Sequence, residues 1–159
     1  MKNWVVMILC WYVQDLVQLV MTQTFLAPEV FLLSLIWCAT GEDPGYSAKW
    51  TAAALAGGFL MDFRWTGIPG LSGSLYVLAL LAARYFWFQI PVASRHMLPY
   101  VLINVVVCAV LSLIRLLLWN SDVLAHRFFI VLGTQWLLTA IMLILFGLLR
   151  AYSYEKQQI

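Results

Sequence analysis

The stretch PYVLINVVVCAVLSLIRLLLW, residues 99–119, decides how this chain is read. It contains one charge, Arg115, and an apolar run of this length forms a helix that spans the roughly 30 Å hydrocarbon core of a bilayer. Its neighbours repeat the pattern. Toward the C-terminus, the polar loop Asn120–Arg127 leads into a second apolar run, Phe128–Leu149. Toward the N-terminus, the connector Pro91–Pro99, with Arg95 and His96, follows a run from Leu71 to Phe88. Before that come the turn Arg64–Gly70, with Gly67, Pro69 and Gly70, and the runs Lys49–Phe63, Pro28–Thr40 and Trp4–Thr24. The sequence therefore predicts an all-α membrane protein: one integral membrane domain over residues 1–159, built as a bundle of about six transmembrane helices. The second and third spans are short and should tilt, thin the bilayer or lie inside the bundle.

Composition agrees. With 64% hydrophobic and 10% charged residues and a mean hydropathy of +0.92, 159 residues cannot enclose their own apolar surface in water. The polar loops and tails, about ten residues at most, leave no room for a soluble domain. The period-two alternation of a lipid-facing barrel strand is absent. The first run holds Gln14, Asp15 and Gln18 and ends without an Ala-x-Ala-like site, so it reads as a helix rather than a signal peptide. A formal charge of +2 with no basic run argues against nucleic acid as a partner.

Six spans with the N-terminus inside put Lys2, Lys49, Arg84, Arg95, Arg150 and Lys156 on the cytoplasmic side, against Arg64, Arg115 and Arg127. Both termini are then cytoplasmic. Five spans, which would separate the termini, is the alternative count. Trp4, Trp50, Trp65, Trp87 and Trp119 fall near span ends, where interfacial anchors belong. Cys10, Cys38 and Cys108 lie inside apolar runs and read as small hydrophobes, while His96 and His126 lack partners at metal-ligand spacing.

The polar content of the helices falls into stripes. Trp11, Asp15, Gln18 and Thr22 share one face of the first helix, and Asn104, Cys108, Ser112 and Arg115 share one face of the fifth. Ala54, Gly58 and Asp62 make a small-residue face that ends in a carboxylate. Each stripe either packs inside the bundle or meets another molecule. Pro28 suits the first turn of the second helix, and Glu29 suits the positive end of its dipole. Gly57 and Gly58 permit close backbone approach, and Asp62 is placed to cap a helix or to pair with Arg64 or Arg115.

The densest pattern is Gly57-Gly58-Phe59-Leu60-Met61-Asp62-Phe63, followed by Gly67-Ile68-Pro69-Gly70-Leu71-Ser72-Gly73. A glycine-rich helix ending in Asp, a Gly/Pro turn and a Gly-Leu helix start resemble the MreD family of rod-shape-determining membrane proteins. Gln residues in the first helix and the Pro28-Glu29 opening of the second agree, and the resemblance covers essentially the whole chain. Phe63-Arg64-Trp65 departs from the small or aliphatic residues more typical after the Asp.

The resemblance implies a non-enzymatic scaffold subunit of the cell-elongation complex in the bacterial inner membrane, with no cofactor. Its implied partner is MreC, a single-span protein, and through it the polymerase RodA, its transpeptidase and MreB. The family is also similar in fold to the six-helix substrate-binding subunits of energy-coupling-factor vitamin transporters. Such a subunit, holding a small molecule beneath its loops, is the first alternative, with Ala52, Ala53, Ala56 and Gly57 available for docking a transport partner. The second is a rhomboid-like protease, because Gly70-Leu71-Ser72-Gly73 matches Gly-x-Ser-Gly. His126 lacks the surrounding groups that such a serine needs.

Overall fold

The apolar runs fold as helices whose ends fall where the sequence breaks them. A computed structural model describes residues 2–20, 28–41, 48–66, 68–118, 133 and 135–148, with the backbone alone at 2–3, 66 and 115–118. The helices are α1 (Lys2–Val20), α2 (Val30–Thr40), α3 (Ala48–Met61), α4 (Leu71–Gln89), α5 (Met97–Leu118) and α6 (Gln135–Leu148). A π-helical turn, Asp62–Thr66, continues α3, and a 3₁₀ turn, Val92–Ser94, joins α4 to α5. Every regular element among the described residues is helical. Leu71–Gln89 and the Met97–Ile114 part of α5 are long and apolar enough to cross a membrane.

Local chemistry sets the boundaries. Gly70, the residue before α4, has φ +92°, a left-handed conformation that costs a glycine little. Ile90 ends α4 in an extended conformation (ψ 130°) because Pro91 follows and its ring disfavours helical backbone in the preceding residue. At α2, Val30 N–H donates to Pro28 O (2.8 Å), closing a three-residue turn centred on Glu29 (φ −78°, ψ 52°). Pro28 thus precedes the helix instead of occupying its first turn.

The short helix α2 is the centre of the fold. Its 11 residues, about 16 Å of helix, are all buried except the half-buried Trp37. It packs against α1, α3 and α4, and α4 in turn packs most extensively on α3 and also on α5. A side chain at Gly147 would touch Met97 and Val101, so the C-terminal end of α6 lies against the start of α5. Each surrounding helix turns one stripe inward: Met7, Cys10 and Gln14 on α1; Tyr76, Leu80, Ala83 and Trp87 on α4; Tyr100, Asn104, Cys108 and Leu111 on α5. The opposite faces stay apolar. Leu102, Val106, Val110 and Leu113 form an exposed stripe on α5, as do Leu9, Tyr12 and Leu16 on α1.

Two tryptophans expected at the interface lie in the core. Trp50 and Trp87 are each 1% exposed, because Trp4 stacks on Trp50 (centroids 5.1 Å apart) and Tyr100 packs edge-on against Trp87 (5.7 Å). Cys10, Cys38 and Cys108 are buried thiols.

Candidate functional site

Of the polar residues singled out in the sequence, Asp15, Glu29, Asp62 and Arg64 converge at one end of the bundle, where α1, α2, the α3 terminus and the start of α4 meet. The glycines make that meeting possible. A Cβ on Gly58 would stand 2.5 Å from both Cα and N of Gly73, so α3 and α4 touch backbone to backbone. Gly57, one residue and about 100° around the helix, faces the other way: the Phe31 ring occupies its side-chain space, and its carbonyl accepts the Trp11 indole N–H (3.1 Å). Adjacent glycines therefore seat α3 in the corner between α2 and α4. Ala54, fully buried, continues the same face. That face is filled by α4 of this chain, so it is an internal packing surface rather than a surface offered to a partner.

Asp62 closes the hairpin. Helix α4 begins behind a glycine, which has no side chain to cap it, and the first amides of a helix lack intrahelical acceptors. Both Asp62 carboxylate oxygens accept the Ser72 N–H, at 3.0 and 2.9 Å, which supplies the cap from ten residues upstream. Asp62 is fully buried and Ser72 nearly so. Of the roles open to Asp62, capping is therefore seen. Pairing with Arg64 is not, since Arg64 turns to α1.

The π turn explains that divergence. Widening the last turn of α3 carries Arg64 and Trp65 toward α1 while Asp62 stays against α4. Arg64 Nη1 donates to Asp15 Oδ2 (2.5 Å), and Trp65 Nε1 donates to Asp15 Oδ1 (3.0 Å). The Asp15 side chain is 8% exposed and that of Arg64 is 49% exposed, so the carboxylate is inside and the guanidinium reaches outward.

A third set of bonds lies beside α2. Tyr76 Oη donates to Glu29 Oε2 (2.9 Å) and accepts from Gln14 Nε2 (3.0 Å), while Gln14 Oε1 accepts the Phe31 N–H (2.8 Å). Glu29 stands at the helix start without making a side-chain cap. Its expected capping role belongs instead to Gln14, which reaches across from α1 to the Phe31 amide, because the carboxylate is directed to Tyr76. Gln14 and Tyr76 were not singled out in the sequence. Gln14 carried a usable signal: it lies three residues after Trp11 and four before Gln18, on the same face.

Gln18 is half-buried on that face, Pro28 is buried and Pro69 is exposed. Gly73 completes the contact with Gly58, and Gly70 sits in open space. Gly67, Thr22, Trp119 and His126 lie outside the described residues, as does the side chain of Arg115. Asn104 and Ser112 are buried on α5. No group of three or more His, Cys, Asp or Glu side chains among the described residues could hold a metal ion. Chemically the arrangement is a set of charged and polar groups answering one another across four chain segments, a latch that fixes how the helices meet. Comparison with protein-family models, with curated proteins and with solved structures finds no match to this chain.

Proposed function

We propose that this chain is a multi-pass membrane scaffold: a bundle of six transmembrane helices with both termini cytoplasmic. In this reading it serves the bacterial inner membrane as a non-enzymatic, MreD-like subunit of the cell-elongation complex. It binds an MreC-like single-span protein and through it supports peptidoglycan synthesis by RodA, its transpeptidase and the MreB filament. One observation carries the membrane part of this reading. Buried Gln14, Asp15, Glu29 and Asp62 point inward and are bonded there, while the outer faces of α1 and α5 present unbroken apolar stripes. That distribution suits hydrocarbon outside and polar contacts inside.

Orientation is supported by charge. Arg84 and Arg95 sit toward the C-terminal end of α4, whereas Asp62 and Glu29 contact its first two turns. The positive end then faces the cytoplasm. The latch supports a holding role, since it fixes four segments relative to one another without leaving Asp15 or Asp62 as a solvent-facing nucleophile or base. Co-purification tests the scaffold directly: a single-span membrane partner should be retained with the tagged full chain, and its absence from crosslinked membranes would refute the reading. Reporter fusions after Ile159 should act only in the cytoplasm.

One observation favours a second reading, the vitamin-type substrate-binding subunit. Both amide atoms of Gln135, 1% exposed on α6, lack a hydrogen-bond partner among the described residues, as does Asn104 Oδ1. A small polar molecule retained through purification and lost in Gln135→Leu would establish that alternative.

A further inference from the structure

Two contacts fix how α1 lies on α3. Trp4 stacks on Trp50, and the Trp11 indole N–H donates to Gly57 O. The two contacts are seven residues apart along each helix, so α1 and α3 run side by side in the same direction. Helix α4 lies on a different face of α3, where Gly58 abuts Gly73. An unbroken α-helix turns about 100° per residue, so residues seven apart come round to within about 20° of each other. Continued as an α-helix, α3 would carry Trp65 onto the face of Gly58, toward α4.

Trp65 lies on the other side. It falls in the π turn Asp62–Thr66, and its Nε1 donates to Asp15 Oδ1 (3.0 Å) on α1, beside the bond from Arg64 Nη1 to Asp15 Oδ2. A π turn closes from residue i to i+5 instead of i+4, which holds the following residues back in rotation and keeps the indole at α1. Among the described residues, Arg64 and Trp65 make no side-chain hydrogen bond except to Asp15. The route toward α4 is open as well: nothing lies within 4 Å of a side chain placed at Gly70, and Ser74 is exposed on the first turn. Asp62 caps Ser72 from the first residue of the π turn, so the cap does not depend on which way the residues after it wind.

We propose that this turn is a two-state coupler set by α1. With the Asp15 carboxylate in place the turn is π-helical and Trp65 lies against α1. With that carboxylate withdrawn the turn winds to an α-helix and Trp65 crosses to the start of α4. The two bonds to Asp15 exist in one state only, which is the differential contact that a population shift requires. A displacement of α1 is thereby converted into a change at the tip of the α3–α4 hairpin, while the Gly58–Gly73 contact and the Asp62 cap keep that hairpin closed. The coupler rests on the geometry of the latch and is independent of the membrane reading.

The test uses the full chain in detergent micelles, labelled with 5-fluorotryptophan and read by fluorine NMR. Its eight tryptophans give eight resonances, and Trp65→Phe identifies the one that matters. A nitroxide is attached at Leu16→Cys on α1 or at Ser74→Cys on α4, both exposed positions, while the native cysteines are buried. Asp15→Asn should weaken the broadening of the Trp65 resonance by the label at 16 and strengthen its broadening by the label at 74. Asp15→Glu, which keeps the carboxylate, should retain the wild-type pattern. Wild-type broadening in Asp15→Asn would overturn the proposal. Broadening lost from both labels would overturn it too, since the turn would then fray instead of rewinding. If Asp15→Asn does not fold, Arg64→Gln removes one of the two bonds and should show the same two changes to a smaller extent; an unchanged Trp65 resonance there would also overturn the coupler.

Discussion

Gly58→Ala is the sharpest perturbation that this fold offers, because the added methyl meets backbone. Its Cβ would lie 2.5 Å from Gly73 Cα and N and 2.8 Å from Ser72 C, where ordinary contact begins at 3.4 Å. None of those atoms belongs to a side chain that can rotate away, so α3 and α4 must separate by about 1 Å at their crossing. The separation also strains the neighbouring cap: the Asp62–Ser72 bonds, now 2.9 and 3.0 Å, would lengthen past hydrogen-bonding range. Overpacking costs about 1–3 kcal/mol and the loss of a bond to a buried charged group about another 1–3, for a total of about 2–6 kcal/mol. If the bundle sits in a bilayer, as proposed above, lipid competes equally for the apolar surfaces exposed, so nothing pulls the pair back together.

Equilibrium unfolding in mixed micelles measures this, and two comparisons give it meaning. Gly73→Ala meets Leu55 O at 3.0 Å, a milder approach that a shift of a few tenths of an ångström relieves, and it should cost less. Gly147→Ala meets the tip of Met97 at 3.0 Å, a flexible end that swings aside, and it should cost under about 0.5 kcal/mol. A Gly58→Ala protein as stable as Gly147→Ala would refute backbone contact between α3 and α4.

The Asp15–Arg64 pair should respond asymmetrically. Arg64→Ala strands a carboxylate that is 8% exposed with only the Trp65 indole, at about 3 kcal/mol, while Asp15→Ala leaves a half-exposed guanidinium that water can reach, at about 1 kcal/mol. The double variant should recover most of the Arg64→Ala loss; equal costs for the two single variants would contradict the burial described here. Tyr76→Phe removes a hydroxyl that bridges Gln14 and Glu29 and should destabilise by about 1–3 kcal/mol in the same unfolding assay, with Glu29→Gln milder because it keeps an acceptor. Gln135→Leu replaces an amide buried without a partner among the described residues and should raise stability by about 1 kcal/mol in the scaffold reading; a loss of stability together with a lost bound molecule would favour the substrate-binding one.

How far these contacts could be read from the sequence depends on how far apart the partners are. Helix positions follow from apolar runs and their breaks, which are local: Leu71 to Gln89 and Met97 to Leu118 lie within two residues of where the runs begin and end. The close α3–α4 approach follows almost as directly, since Gly58 and Gly73 flank a short turn and antiparallel helices joined that way must cross near it. What the sequence does not contain is the choice among distant partners. Arg64 lies two residues from Asp62 but pairs with Asp15, 49 residues away, because a π turn redirects it, and no residue pattern announces that turn. The same holds for Trp50 and Trp87, whose positions near run ends suit anchoring equally well until Trp4 and Tyr100 are known to cover them. Polar residues inside an apolar helix announce that they have partners, and only the packing of α2 between α1 and α4 decides that those of Glu29 and Gln14 meet at Tyr76.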